Sequence, residues 1–423
     1  MHAISRLDSQ ATPCLPVLAS PAAPRGEKKE IESLTAYRGF LAVCIVIHHF
    51  WNDVLCLFPQ AAVVSTPFLM AHLAVLAFFM LSGFVLAYNY LHRFQRLRWN
   101  EMVRFWVLRL ARIYPVHLVT LLGLALVIWG SRLRGEPLNS NDDAYTLAAF
   151  VRNIFLVQIW TRHGEFTWNY PSWSISSEWF AYLLFPLVAC SILQRLSTRL
   201  RSGVFMVLCL VGSIAFTIYG NRWPFFNLLI VVPTSLAGAS AFCFMRCARR
   251  SDGRSPSAFR ANLESGANRG GPSTQVSASS SEKRCMRFLP EAFVVLALVG
   301  CLLLPVTEII ALMFCTFLAT ILSLAFLGDA CTWPWRMRFS VFLGEISYSL
   351  YMTHTIAQRV LTRCLPSQQF ESADTLLKVG VLLAYAAVVA LACAATYFLV
   401  ERPCRRRVQL WAAARPISLR ETS

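Results

Sequence analysis

The sequence predicts an all-α, polytopic membrane protein with about ten transmembrane helices and cytoplasmic N- and C-termini. Three observations lead there. The 423-residue chain is 56% hydrophobic and only 14% charged, with mean hydropathy +0.52, whereas a soluble domain has about a quarter of its residues charged. Apolar runs of about 20 residues, long enough to cross a bilayer, recur along it, and backbone groups in lipid pair within such a run only as helix. Finally, the net charge of +17, from 39 Lys and Arg against 22 Asp and Glu, gathers between those runs. That is a topology signal. No nucleic-acid partner is expected, since no soluble module presents a basic face.

Residues 1–30 read as a disordered cytoplasmic tail, rich in Pro and Ala and without the apolar run of a signal peptide. A membrane domain follows over 31–407, with spans at 34–52, 68–91, 113–130, 172–193, 203–219, 223–245, 291–305, 308–327, 340–363 and 375–400. Pro115 lies near the start of the third, where proline is tolerated. The apolar piece 148–160 carries Arg152 and is too short to span, so it reads as interfacial or re-entrant. Residues 246–290, rich in Ser, Gly and Arg, bury too little to fold and read as a disordered cytoplasmic linker. Residues 408–423 form a cytoplasmic tail. With these spans every strongly basic segment (25–29, 93–112, 195–201, 246–287, 336–338, 402–407) falls on one side of the membrane. The expected location is an inner or plasma membrane, with lipid as a constant partner.

Chemistry should lie where polar side chains enter the apolar runs, because a charge or imidazole in hydrocarbon is costly. Arg38 and His49 are eleven residues apart, three helical turns, so they share a face about 16 Å long. His48 is adjacent. His354 in the ninth span and Glu178 in the fourth come to the outer half of the membrane, giving an expected His/Glu cluster there. Arg109 and Arg112, three apart, share a face near the inner end of the third span. Each has a bland counterpart. The histidines serve equally as backbone hydrogen-bond donors, the arginines as positive-inside anchors, Tyr348 and Tyr351 as interhelical glue, and Trp173 as an interfacial marker. His48 and Asp53 share an H-x4-D spacing without the soluble context that gives it meaning, and no G-x-S-x-G elbow occurs. Fourteen cysteines lie mostly in apolar runs, with no disulfide or metal-ligand spacing. No metal is expected.

Six stretches in order resemble the acyltransferase-3 family of integral-membrane O-acyltransferases. YRGFLAVCIVIHHF (37–50) is similar to its first-helix pattern, and that register selects His49 over His48. FFMLSGF (78–84), the R-x-x-R of Arg109 and Arg112, PSWSISSEWF with Trp173, Ser174 and Glu178, LGEISYSLYMTHT with His354, and VERPCRRR (400–407) supply the others. The sequence departs from the family at Thr353, Glu345 and Ala36. The resemblance implies that an acyl group, acetyl in the first instance, passes from acyl-CoA to a hydroxyl of a carbohydrate, glycolipid or other hydroxylated acceptor. His49 would be the general base, with Glu178 orienting it or positioning the acceptor. Arg38, Arg109 and Arg112 would hold the donor's phosphates, and His48, Trp173, Ser174, Tyr348, Tyr351 and His354 would line or support the site. Acyl-CoA is a donor substrate here, and no bound cofactor is expected. A second transfer step would call on a separate extracytoplasmic transferase, because the hydrolase-like domain of some family members is expected to be absent. The rival expectation is a multi-pass exporter using the same polar residues as a solute path, which typically shows internal repeats. None is visible in the sequence.

Overall fold

The computed structural model describes residues 31–135, 142–161, 166–251, 288–327 and 333–414. The expected 1–30 tail lies outside them. Among the described residues the chain is helical throughout, with no strand. The principal helices are α1 (Glu32–Leu57), α2 (Ala74–Tyr90), α3 (Trp99–Leu133), α4 (Leu147–Ile154), α5 (Ser172–Ser191), α6 (Arg199–Tyr219) and α7 (Val231–Ser251). Then follow α8 (Leu289–Leu303), α9 (Val306–Leu327), α10 (Arg338–Glu345), α11 (Ser347–Cys364), α12 (Thr375–Thr396) and α13 (Arg402–Ala414).

Eight helical segments are long and apolar enough to cross a membrane. They correspond to eight of the ten expected spans. Of the other two, α8 is apolar but has only 15 residues, short for a bilayer. The ninth expected span, 340–363, is broken at Ile346 into α10 and α11. Its apolar content is low because Ser347, Ser349, Thr353 and His354 turn inward and are buried. This helix faces protein rather than lipid.

Other expectations shift at their edges. The basic stretch 93–112 is not a loop over its second half: α3 starts at Trp99 and runs 35 residues, so Arg109 and Arg112 sit on a helix continuous with the span. Pro115 is therefore interior to a helix, not near its start, and deprives the Ala111 carbonyl of its helical donor. The expected linker begins later than residue 246, since α7 continues to Ser251. Arg249 there donates to the Ala325 carbonyl at 3.1 Å, neutralising the C-terminal end of α9. Residues 252–287 lie outside the described residues, and 408–414 of the expected tail continue α13. The 148–160 piece forms the eight-residue α4 and a turn through Leu156 at φ 58°, and does not span.

Two crossings bring backbones into contact. A Cβ on Gly238 of α7 would stand 1.8 Å from the Met80 carbonyl oxygen of α2, and one on Gly83 would stand 1.9 Å from that of Ser235. Likewise Gly344 of α10 lies against α1, where a Cβ would meet the Thr35 oxygen at 1.8 Å. Small residues at helix crossings are how membrane helices gain packing without a hydrophobic driving force. These two contacts fix α1 and α2, which carry Arg38, His49 and Ser82.

Candidate active site

Two connected chambers open inside the bundle. The inner chamber is walled by α1, α2, α3 and α13, the deeper one by α1, α2, α3, α5 and α11, and Arg38, Val85, Arg109 and Arg112 line both, forming the neck between them. They enclose about 1310 and 820 Å³ of atom-free space, solvent-open parts included. The deeper wall is largely apolar, with Val75, Phe79, Leu86 and Ile175 among its residues.

At the neck, Arg109 Nη2 donates to the Tyr90 hydroxyl at 2.6 Å, and its guanidinium lies 4.9 Å from that ring's centroid. Arg93 approaches the same ring at 5.6 Å. Stacking of this kind stabilises a cation whose charge cannot be discharged by proton loss. The Nε of Arg109 is buried and makes no hydrogen bond, a costly state for an ionised donor.

Glu178 sits in the deeper chamber and accepts from Ser82 Oγ at 2.8 Å and Tyr182 Oη at 2.5 Å. No hydrogen bond joins it to either histidine. The expected His/Glu cluster therefore does not form: the carboxylate shares a chamber with Arg38, Arg109 and Arg112, while His49 and His354 are outside that lining. The reason is rotational. Residues on α5 one turn apart, Ser174 and Glu178, both face the chamber, so the carboxylate is directed to Ser82 of α2 rather than to the histidine pair. Tyr348 reaches the Ile113 carbonyl at 2.5 Å, pinning α11 to α3.

The chamber ends at Phe78, Ser174 and Tyr351. Tyr351 Oη lies 2.8 Å from Ser174 Oγ and 3.1 Å from the Pro171 carbonyl. Beyond it, the Tyr351 ring stands 5.9 Å from that of His354. His354 is fully buried, and its Nε2 is 3.3 Å from His49 Nδ1.

Partners assign the tautomers. His49 Nδ1 meets the Ile45 carbonyl at 2.9 Å and His354 Nδ1 the Leu350 carbonyl at 3.2 Å. A carbonyl only accepts, so both rings carry the proton on Nδ1. His354 Nε2 then shares, at the longer distance, the one His49 Nδ1–H that the Ile45 carbonyl accepts, and His49 Nε2 is left as the basic nitrogen. Gln358 on α11 donates to the backbone oxygen of His49 at 2.5 Å. Its amide also reaches Asp53 at 3.4 Å, whose other oxygen accepts from Ser367 at 2.9 Å. Asp53 thus braces α1 against α11 and does not bond His48.

The remaining candidates sit nearby. His48 bonds the Phe68 carbonyl at 3.0 Å, and its ring is 5.1 Å from His49 and 5.4 Å from the exposed His72. Trp173 packs on Phe79 and Phe166 and does not line the chamber. Tyr170, partly exposed, lies 5.8 Å from His49, and burial pushes its phenol above the usual range. Among the described residues no group of His, Cys, Asp and Glu could hold a metal ion.

Several participants escaped the sequence reading: Ser82, Tyr90, Asn169, Tyr182 and Gln358. Asn169 bridges the Met352 carbonyl at 3.0 Å and Thr355 at 3.1 Å, tying the loop before α5 to α11. A buried set behind it, with His117 against the Asn153 carbonyl and Gln158 on Ser172, holds that loop over the head of α5. Only Ser82, inside the FFMLSGF stretch, carried a signal: a polar residue in an apolar run.

The family pattern of acyltransferase-3, described as an acyltransferase domain, matches residues 31–252, more than half of the chain. The chain belongs to this family. The acyltransferase-3 match takes in α1 to α7, hence Arg38, His49, Arg109, Arg112 and Glu178, whereas His354 and Glu401 lie beyond it. The chain is also similar to Acyltransferase MdmB of Streptomyces mycarofaciens, 33% identical over 163 residues. That alignment covers 37% of this chain and 38% of the relative's length. No solved structure matches it.

Proposed function

We propose that the protein is a multi-pass membrane acyltransferase that moves an acyl group, acetyl in the first instance, from acyl-CoA to a hydroxyl of a carbohydrate, glycolipid or other hydroxylated acceptor. The observation that carries this reading is the neck of three arginines opening into an apolar chamber whose far end, at Tyr351, stands 5.9 Å from the His354 ring of a histidine pair. Family membership supports the reaction class.

The donor enters from the cytoplasmic side, toward which the basic segments face. Its phosphates stop at Arg38, Arg109 and Arg112, permanently charged groups suited to bidentate contact. The acyl-bearing arm extends into the deeper chamber toward Tyr351. The acceptor comes from the other side, past Tyr170, to His49. Its hydroxyl oxygen attacks the thioester carbonyl carbon while His49 Nε2 takes the proton. Collapse of the tetrahedral adduct breaks the C–S bond, and the CoA thiolate recovers the proton from His49. Atoms and charge balance without a redox partner or metal. General-base assistance of this kind contributes typically about 10²–10⁴-fold. Glu178, held by Ser82 and Tyr182, faces the arm of the donor and serves in positioning it. The site belongs in an inner or plasma membrane, and a separate extracytoplasmic transferase takes over the product where a second transfer follows.

Replacing His49 by Ala is the direct test. Acyl transfer in membranes should fall by at least about 10²-fold while the variant inserts and accumulates as the parent does. Near-parental transfer would overturn the assignment. Purified protein that moves a solute and never consumes acyl-CoA would favour an exporter instead.

A further inference from the structure

The inner chamber has a composition that the donor's thioester end does not call for. Five arginines line it, Arg38, Arg93, Arg109, Arg112 and Arg405, and no Asp or Glu does. Three of them also face the deeper chamber, whereas Arg93 and Arg405 face the inner one alone. Arg405 and Gln409, one turn apart on α13, point the same way. Arg405 is 3.5 Å from the buried Glu401, which also accepts from Ser349 at 2.6 Å, so its side chain is anchored one turn back along the chain while it lines the chamber. Arg93 is held by the Tyr90 ring it shares with Arg109. Arginines gathered on one cavity give it a positive potential that favours an anion.

The length of the path orders the groups. From Arg38 to His49 the helix rises about 16 Å, a span to be filled by an extended, uncharged arm. A CoA thioester has such an arm, the pantetheine, ending in a pyrophosphate. With the thioester near His49, the pyrophosphate falls at the neck, where Arg109 Nε has no partner. The nucleotide then occupies the inner chamber, and its ribose 3′-phosphate is the one further anion to be accounted for.

We propose that α13 is part of the donor site: Arg405, with Gln409 and Arg93, binds the 3′-phosphate of CoA, so the protein selects the nucleotide-bearing donor over a thioester of phosphopantetheine alone. This rests on the donor reading above. It makes the C-terminal helix, which lies outside the family match, a determinant of donor class.

The test needs no acceptor. Purified full-length protein in detergent is titrated calorimetrically with CoA, 3′-dephospho-CoA and pantetheine. The parent should bind 3′-dephospho-CoA roughly 10- to 100-fold more weakly than CoA, the size of a charge-assisted contact. Arg405→Ala should bind CoA about as weakly as the parent binds 3′-dephospho-CoA, and should no longer distinguish the two. Arg405→Lys should recover part of the difference. Pantetheine binding should be the same in all three proteins, which separates a lost phosphate contact from a damaged fold. Gln409→Ala, which leaves the Glu401 pair intact, should weaken CoA more than 3′-dephospho-CoA. Equal affinity of the parent for CoA and 3′-dephospho-CoA, or full discrimination in Arg405→Ala, would overturn the inference and leave the donor reading standing. Failure of CoA to bind the parent at all would overturn both.

Discussion

In the proposed reaction His354 would act through another ring. Its Nε2 lies 3.3 Å from His49 Nδ1, whose N–H also donates to the Ile45 carbonyl at 2.9 Å, so it would steady the ring and the direction of the basic nitrogen. Replacing it by Ala should lower kcat on the order of 10²-fold, as small misplacements of a reacting group do. KM for acyl-CoA should hold, because the arginine neck is untouched. His354→Gln, which restores an acceptor, should regain part of kcat, and a steady-state kcat and KM measurement separates these outcomes from general disruption. At this scale the sequence was most informative where two residues share a helix. Arg38 with His49 and Arg109 with Arg112 follow from spacing alone. Contacts across helices were not legible: Ser82 to Glu178 and Gln358 to His49 join residues 96 and 309 positions apart. Nothing local to Glu178 says whether it faces α1 or α3, which is why it was expected beside His49.

Among elements, the glycine crossings carry the placement of the site. Gly238→Ala must push α7 off α2, since the new Cβ would fall 1.8 Å from a backbone oxygen that cannot swing aside. A loss of about 1–3 kcal/mol is expected, seen as a lowered Tm in detergent. Gly123→Ala, with nothing within 4 Å of its Cβ, should stay within about 0.5 kcal/mol. Helix existence was legible from apolar length, because lipid leaves the backbone no other solution. Two element readings failed for physical reasons. The 340–363 stretch was read as one span, but the Gly344–Ile346 region packs on α1 and the helix breaks there. The 93–112 stretch was read as a connection because arginines look like loop residues beside lipid. Arg109 and Arg112 instead line a cavity from a helix, where a charge is tolerated.

Across the whole molecule, orientation is the property that composition alone carries. The ten-span reading puts each basic segment on one side, and on that reading the arginine-lined chamber opens toward it. In a background with Cys14, Cys285, Cys315, Cys331 and Cys364 replaced by Ser, a cysteine at exposed Val63 should react with an impermeant maleimide on intact cells. One at exposed Leu97 should react only after permeabilisation. The reverse pattern would invert the topology and place the arginine chambers on the outside.

The arginine neck also bears on energetics across the membrane. Every phosphate of a donor seated as proposed stays at or inside the neck. Only the uncharged arm and acyl group reach Tyr351, and the proton passed to His49 returns to the thiolate beside it. No net charge moves through the barrier formed by Phe78 and Tyr351. A single charge carried across would couple turnover to voltage at about 2.3 kcal/mol per 100 mV. The protein would therefore export acyl groups at a rate indifferent to membrane potential, and it would draw its driving force from the thioester alone.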